Sequence, residues 1–236
     1  MREQGVKRLQ NFELRSRDEH FIVNRFLYED LYAAIKNYSK GKVLDIGCGN
    51  KPYLSIFKSV SFSYTGCDIA QSSEQCVDVI CPATKLPFPD ASFDTVFSSQ
   101  VIEHVEDTPS MISEMSRVLK KEGHAVISAP FAWQLHEEPY DFFRFSKYGL
   151  KYVLQQAGFE IIYIKPNGGK WATIMQLQLN VLMSSRKYRS WRSFLIKHLF
   201  ITLGFIKIYN RLAVWIDRRY FDDILTLNYV VVARKK

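Results

Sequence analysis

Two aspartates and two glycines raise the first chemical question in this chain. Asp45 lies in the apolar run KVLDI, residues 42 to 46, and the turn that follows carries Gly47, Cys48 and Gly49; Asp68 stands 23 residues beyond Asp45, near the end of a second run, SYTGCDI. Glycines after a buried strand let the backbone approach a ligand at the carboxyl end of a sheet. A phosphate ligand does not fit, because the Asp45 carboxylate would oppose it. Pro52 also stands where a dinucleotide loop has its third glycine, and no G-K-[S/T] follows. Asp45 favours an ammonium or sulfonium group instead, and Asp68 is placed to accept hydrogen bonds from ribose hydroxyls. A cation joined to a riboside describes S-adenosylmethionine. Taken singly, each acid has a plainer use, Asp45 as the cap of a turn and Asp68 as a loop acceptor.

These groups need a frame to hold them. From Lys42 onward short apolar runs alternate with helical patterns, as in a parallel sheet with crossover helices. Strands are expected at 42–46, 63–69, 93–99, 124–130, 159–165 and 226–234. Helices are expected at 52–60, from the end of the 93–99 strand to about Leu119, and over KYGLKYVLQQAG, closed by Gly158. The expected fold is α/β, a doubly wound, mostly parallel, seven-stranded Rossmann-like sheet. Its parts are an N-terminal helical arm (1–40), a core (41–169), a basic, apolar helical insertion (170–219) and a final strand (220–236).

VLDIGCGN, TGCDI, LPFPDASFDTVFSSQVIEHVED and HAVISAPF occur in this order over residues 42 to 165. Together they resemble a class I S-adenosylmethionine-dependent methyltransferase of the broad methyltransferase type 11 group. The resemblance implies S-adenosyl-L-methionine as cofactor. Asp45, Gly47, Cys48 and Gly49 would lie around its methionine part, with Asp68 and Ile69 at its ribose and Ser99 and Gln100 as further neighbours. The group often has an aspartate before the alanine of the segment that here reads PATKLPF, and this chain has Pro82 there. Backbone groups near Ala83 are then expected to recognise adenine.

Transfer of a methyl group from a sulfonium is a direct displacement. The protein contributes alignment and, for an alcohol acceptor, a base. The stretch WQLHEEPYDFFRFSKYG, 133 to 149, follows a strand end and sets His136, Glu137, Glu138, Asp141 and Arg144 among aromatic rings. The preferred roles are His136 as general base, Asp141 orienting it or the acceptor, and Arg144 binding an acceptor carboxylate or phosphate. The plainer alternative makes Arg144 and Asp141 a structural pair and His136 a surface residue. Its H-x-x-P-x-D-x-x-R-F pattern is similar to that of methyltransferases of cell-surface glycan or lipid pathways. His104, in QVIEHVED, is the competing base, although Glu103 and Asp107 beside it also suit a first helical turn. No metal site is assigned. His136, Glu137 and Asp141 are ligands by type, but displacement at a sulfonium needs no Lewis acid, and Cys48, Cys67, Cys76 and Cys81 form no C-x-x-C pair.

Charge separates the remaining function classes. The chain of 236 residues has a net charge of +8, yet residues 170–236 hold thirteen basic and three acidic groups while 41–169 are mildly acidic. An evenly basic nucleic-acid binder would differ, and nucleic acid is not an expected partner. The first twenty residues contain no secretory signal pattern, so the expected location is the cytoplasm, with the inner membrane face as an extension. Drawn as one helix, residues 189–218 gather Arg189, Lys197, Lys207, Arg211 and Arg218 on one side, although Gly204 is a point where the helix would break. Two readings stand. The apolar face packs on the domain as a lid, or it lies in an anionic membrane interface with Trp191 and Trp215 near the headgroups. The leading function is methylation of a hydroxyl or similar group on a small acceptor. Methylation of RNA or protein is the second, although SSQV replaces any N-P-P-Y-like tetrad, and a catalytically silent binding module is the third. Oligomeric state is left open.

Overall fold

In a computed structural model, residues 14–183 and 204–236 are described. The strands are β1 (Gly41–Ile46), β2 (Ser61–Asp68), β3 (Val79–Ile80), β4 (Phe93–Ser99), β5 (Leu119–Pro130), β6 (Phe159–Asn167) and β7 (Asn228–Lys235). They form one sheet in the order β3-β2-β1-β4-β5-β7-β6. All pairings are parallel except those of β7 with β5 and β6. The order reverses beside β1, so the ends of β1 and β4 flank a crevice.

Alternation along the strands feeds two apolar layers. Val43, Phe97, Val126, Val230 and Val232 face α1 (Phe21–Tyr38), through Leu27, Leu31 and Ile35, and the short α2 (Leu54–Phe57). Leu44, Val96, Ala125, Ile127 and Val231 face α3 (Thr108–Val118) and α4 (Lys147–Gln156). The first helix is thus built into the sheet's own core.

Several sequence expectations need correction. The helix expected over 52–60 is only Leu54–Phe57, because Ser59 and Ser61 hydroxyls donate to the carbonyls of Ile56 and Phe57 and compete with further turns. The two-residue β3 was not anticipated, and β5 starts five residues before the expected 124. The helix expected after β4 splits into a 3₁₀ turn, Ile102–His104, and α3. Asp107 caps α3 by accepting from the Ser110 amide at 3.1 Å, with Pro109 in the first turn. That break leaves Glu103 and His104 outside any long helix.

The insertion contains α5 (Lys170–Met183) and α6 (Phe205–Arg219). Gly204, in the left-handed region at φ 74°, caps α6, so the single helix drawn through 189–218 is interrupted there. Trp191, Arg189 and Lys197 lie outside the described residues. The inward side of α6 is Ile206, Asn210, Ala213 and Asp217, while Ile208, Leu212 and Trp215 are exposed beside Lys207 and Arg211. Within α6, then, the packed side is part apolar and part polar: Ile206 and Ala213 join an apolar cluster with Ala172, Leu179 and Leu227, and polar ties hold the rest. The Asn210 amide donates to the carbonyls of Ser16 and Asp18. Asp217 accepts from the amides of Gly169 and Ala172, each at 2.9 Å, at the N-terminus of α5. No helix among the described residues is long and apolar enough to cross a membrane.

Asp217→Ala is expected to cost about 2–4 kcal/mol, since it orphans two buried amides at a helix start. Urea unfolding followed by circular dichroism should show a lower midpoint with an unchanged slope.

Candidate active site

A cleft of about 760 Å³ opens at the carboxyl ends of β1, β2 and β4. Its floor is the turn after β1. Gly47 has φ 76°, and a Cβ there would fall 2.3 Å from Val101 Cγ2, so both the backbone conformation and the space require glycine. The amides of Gly47 and Cys48 both donate to the Cys67 carbonyl, at 2.8 and 3.0 Å, which ties the turn to β2. The Asp68 carboxylate accepts the Gly49 amide at 3.1 Å.

Asp45 is buried and accepts a hydrogen bond from the Tyr64 hydroxyl. Burial pushes its carboxyl up to about 7; the Tyr64 bond opposes the shift, the Asp68 charge adds to it, and Lys51 opposes it. Beyond β4, the Ser99 hydroxyl lies 3.1 Å from the Tyr53 hydroxyl and 2.9 Å from that of Ser128, to which the Gln100 amide also donates.

All nine residues expected around the cofactor, Asp45, Gly47, Cys48, Gly49, Asp68, Ile69, Ala83, Ser99 and Gln100, line this one cleft. A sulfonium riboside fits such a donor set. The cleft has two carboxylates, one at the tip of each of two adjacent parallel strands, and a glycine turn between them. Pro82 and Thr84 line it beside Ala83.

The four acceptor-side candidates divide. His104 lines the cleft, whereas His136, Asp141 and Arg144 do not. His136 stands behind His104, ring centroids 4.7 Å apart and nearly perpendicular. The His136 amide donates to Asp141 at 2.9 Å, and its Nδ1 lies 3.2 Å from the same carboxylate. Arg144 grips both Asp141 oxygens, at 2.6 and 2.7 Å, and spends its other donors on the carbonyls of Trp133, Gln134 and Phe143. Those contacts use the guanidinium's five N–H groups. The expected acceptor anion is therefore left no donor of Arg144, which instead clamps the 133–145 loop. The pairing holds the Asp141 carboxyl down at about 2 despite its burial.

The clamped loop closes over the 3₁₀ turn. The Phe142 and Phe143 amides donate to the Glu103 carbonyl, and the Tyr140 carbonyl lies 2.7 Å from His104 Nδ1. Glu103 itself is fully buried, and neither carboxylate oxygen has a hydrogen-bond partner. Burial pushes its carboxyl up to about 8. Sequence reasoning assigned Glu103 only to a helix start and missed the cleft residues Asn24, Leu27, Tyr53, Tyr140 and Phe142. The acid beside His104 was a visible signal; the others carry none until the chain is folded.

The Asp45 shift predicts a pH dependence. The folded value lies above the ordinary carboxylate range, so the Asp45 contribution to stability is greatest below about 4 and is lost as pH rises through about 7. Cofactor affinity runs the opposite way, because a cationic ligand prefers the charged acid. Calorimetric affinity for S-adenosylmethionine should rise by up to about tenfold per pH unit up to pH about 7 and then level off, with proton release on binding below it.

Residues 44–127 match the methyltransferase domain family. Among curated proteins, the chain is 33% identical over 108 residues to the tRNA (carboxymethyluridine(34)-5-O)-methyltransferase alkbh8 of Xenopus tropicalis, a match covering 41% of this chain and 16% of that protein. It is 29% identical over 101 residues to the 27-O-demethylrifamycin SV methyltransferase of Amycolatopsis mediterranei, covering 36% and 37%. The chain thus spans well under two thirds of either relative. In fold it is similar to the crystal structure of an S-adenosylmethionine-dependent methyltransferase from Archaeoglobus fulgidus, with a TM-score of 0.56, 20% identity, and coverage of 92% of this chain and 95% of that one. The matched span holds Asp45, Asp68 and the glycine turn within the seven-stranded order described above, and the chain carries a methyltransferase domain of the class I S-adenosylmethionine-dependent family.

Proposed function

We propose that the protein methylates a hydroxyl, or a similar oxygen, of a small and partly apolar acceptor. The observation that carries the reading is that one cleft contains both the Asp45–Asp68 end and the His104 wall, with Leu27, Tyr53, Tyr140 and Phe142 around it. S-adenosylmethionine supplies a methyl carbon on a positively charged sulfur. The chain's residues do the rest. Asp45 and Asp68 set the cofactor's position, and the aromatic wall excludes water and orients the acceptor. His104 receives the hydroxyl proton on Nε2. The Tyr140 carbonyl fixes its tautomer by accepting from Nδ1, and the Arg144–Asp141 clamp holds His136 against its ring. A small, lipid-linked or glycan-pathway acceptor suits such a cleft.

Incubation with methyl-labelled S-adenosylmethionine and a panel of small phenols, sugar and lipid-linked alcohols tests this. Label should enter an oxygen of one class, and label entering none of them would overturn the reading. Methylation of RNA is the second reading, favoured by the likeness to the Xenopus tRNA enzyme; labelled tRNA, with binding that weakens steeply with salt, would establish it instead. A silent module would give no heat with S-adenosylmethionine. Contact of α6 with anionic lipid is a separate proposal, supported by exposed Ile208, Leu212 and Trp215 beside Lys207 and Arg211.

A further inference from the structure

We propose that Glu103, His104 and His136 form a binding site for a divalent transition-metal ion at the acceptor end of the cleft. A carboxylate oxygen of Glu103 and one ring nitrogen of each histidine lie within 4.8 Å of one another. His104 Nε2 is 3.8 Å from Glu103 Oε1. Atoms sharing one cation at about 2.0–2.2 Å stand roughly 3–4 Å apart, so small side-chain rotations close the set.

Two independent features argue that this is a built site and not a chance gathering. The first is Glu103. A fully buried carboxyl group with neither oxygen hydrogen-bonded is costly, because its desolvation is only partly offset by the neighbouring charges. A cation between it and the two rings would supply what is missing. The second is the layer behind the rings. His104 Nδ1 faces the Tyr140 carbonyl at 2.7 Å, and His136 Nδ1 lies 3.2 Å from an Asp141 oxygen that Arg144 holds in place. A backbone carbonyl on one imidazole and an anchored carboxylate on the other are the outer partners that orient metal-bound histidines and raise their basicity.

Two imidazoles and one carboxylate suit Zn²⁺, Mn²⁺, Fe²⁺ or Co²⁺ better than Mg²⁺ or Ca²⁺, which prefer oxygen ligands. Three protein ligands leave open positions, and His104 lines the cleft. The acceptor oxygen would occupy one of them. This last point rests on the oxygen-methylation reading above, with His104 Nε2 then a ligand of the cation in place of the proton acceptor. The cation would hold the oxygen and favour its ionised form, with the hydroxyl proton passing to solvent.

The test uses the full-length chain, stripped with chelator and titrated with Co²⁺, then with Zn²⁺ as competitor. A single Co²⁺ should bind with visible d–d absorption and a Kd on the order of micromolar, and Zn²⁺ should displace it. Glu103→Gln should weaken binding by at least about tenfold, as expected for loss of a charged ligand, while S-adenosylmethionine affinity stays the same. If Glu103→Gln fails to fold, His136→Ala, at a partly exposed ring, serves in its place with the same expectation. No binding at 100-fold higher Co²⁺, or unchanged binding in both variants, would overturn the site. Calorimetry with S-adenosylmethionine on the same samples separates the two ideas: cofactor binding without metal binding removes this inference alone, and metal binding without cofactor binding removes the methyl-transfer reading alone.

Discussion

Asp68→Ala is expected to weaken S-adenosylmethionine binding by about a hundredfold or more. The carboxylate is buried at the end of β2 and serves two purposes at once. It accepts the Gly49 amide, which fixes the glycine turn, and it faces the cleft where ribose hydroxyls would donate to it. Hydrogen bonds to a charged group contribute about 1.5–3 kcal/mol each, so losing the ribose pair costs about 3 kcal/mol or more. About 3 kcal/mol is a little over a hundredfold in Kd. Asp68→Asn keeps an oxygen for the Gly49 amide but removes the charge, so a smaller loss, on the order of tenfold, is expected. Isothermal titration of both variants reads the difference. An Asp68→Ala protein that binds as tightly as the parent would remove Asp68 from the cofactor site.

His104→Ala is expected to lower turnover by about 10² to 10⁴ while leaving S-adenosylmethionine affinity nearly unchanged. The size follows from what the ring does. Among the described residues it is the one histidine that lines the cleft, its tautomer is set by the Tyr140 carbonyl, and whether it takes the acceptor's proton itself or holds a cation that does the activation, its removal leaves a neutral hydroxyl as the nucleophile. The split between turnover and affinity follows from position: the cofactor-side groups are on β1, β2 and β4, and His104 sits on the 3₁₀ turn beyond them. Initial-rate kinetics with saturating cofactor, together with calorimetry, measure both quantities. Turnover that survives His104→Ala but not His136→Ala would give the activating role to the second ring.

The site's geometry also explains why the 133–149 loop reads so strongly in sequence and acts indirectly in the structure. Titratable groups concentrated among rings resemble a catalytic loop, but Arg144 and Asp141 are consumed in holding the loop against Pro130, Glu103 and His104. Residue type was legible there, and partner was not. A guanidinium with all donors engaged differs from one aimed at a ligand only through contacts made by carbonyls at Trp133, Gln134 and Phe143, which no residue identity encodes.

What the sequence determined by itself was local and periodic. Strands buried on both faces read as near-continuous apolar runs, so β1 and β7 stood out, and β2 and β4 followed from their spacing in the alternation with helices. A ligand at the parallel strand tips had to be met by the residues that end those runs. Asp45, Gly47, Gly49 and Asp68 could be placed without any tertiary contact, because chain direction and strand end already put them on one rim. What only the tertiary structure decided depended on residues far apart in the chain. The break at Asp107 and Pro109 turned Glu103 and His104 out of a helix, and the loop's clamp brought His136 to 4.7 Å from His104. Asp217 and Asn210 stand on the buried side of α6, alongside Ile206 and Ala213, because they cap α5 and bind the segment before α1. In each case the deciding term was the satisfaction of buried polar groups by distant partners. That depends on three-dimensional juxtaposition, and hydrophobic periodicity carries no record of it.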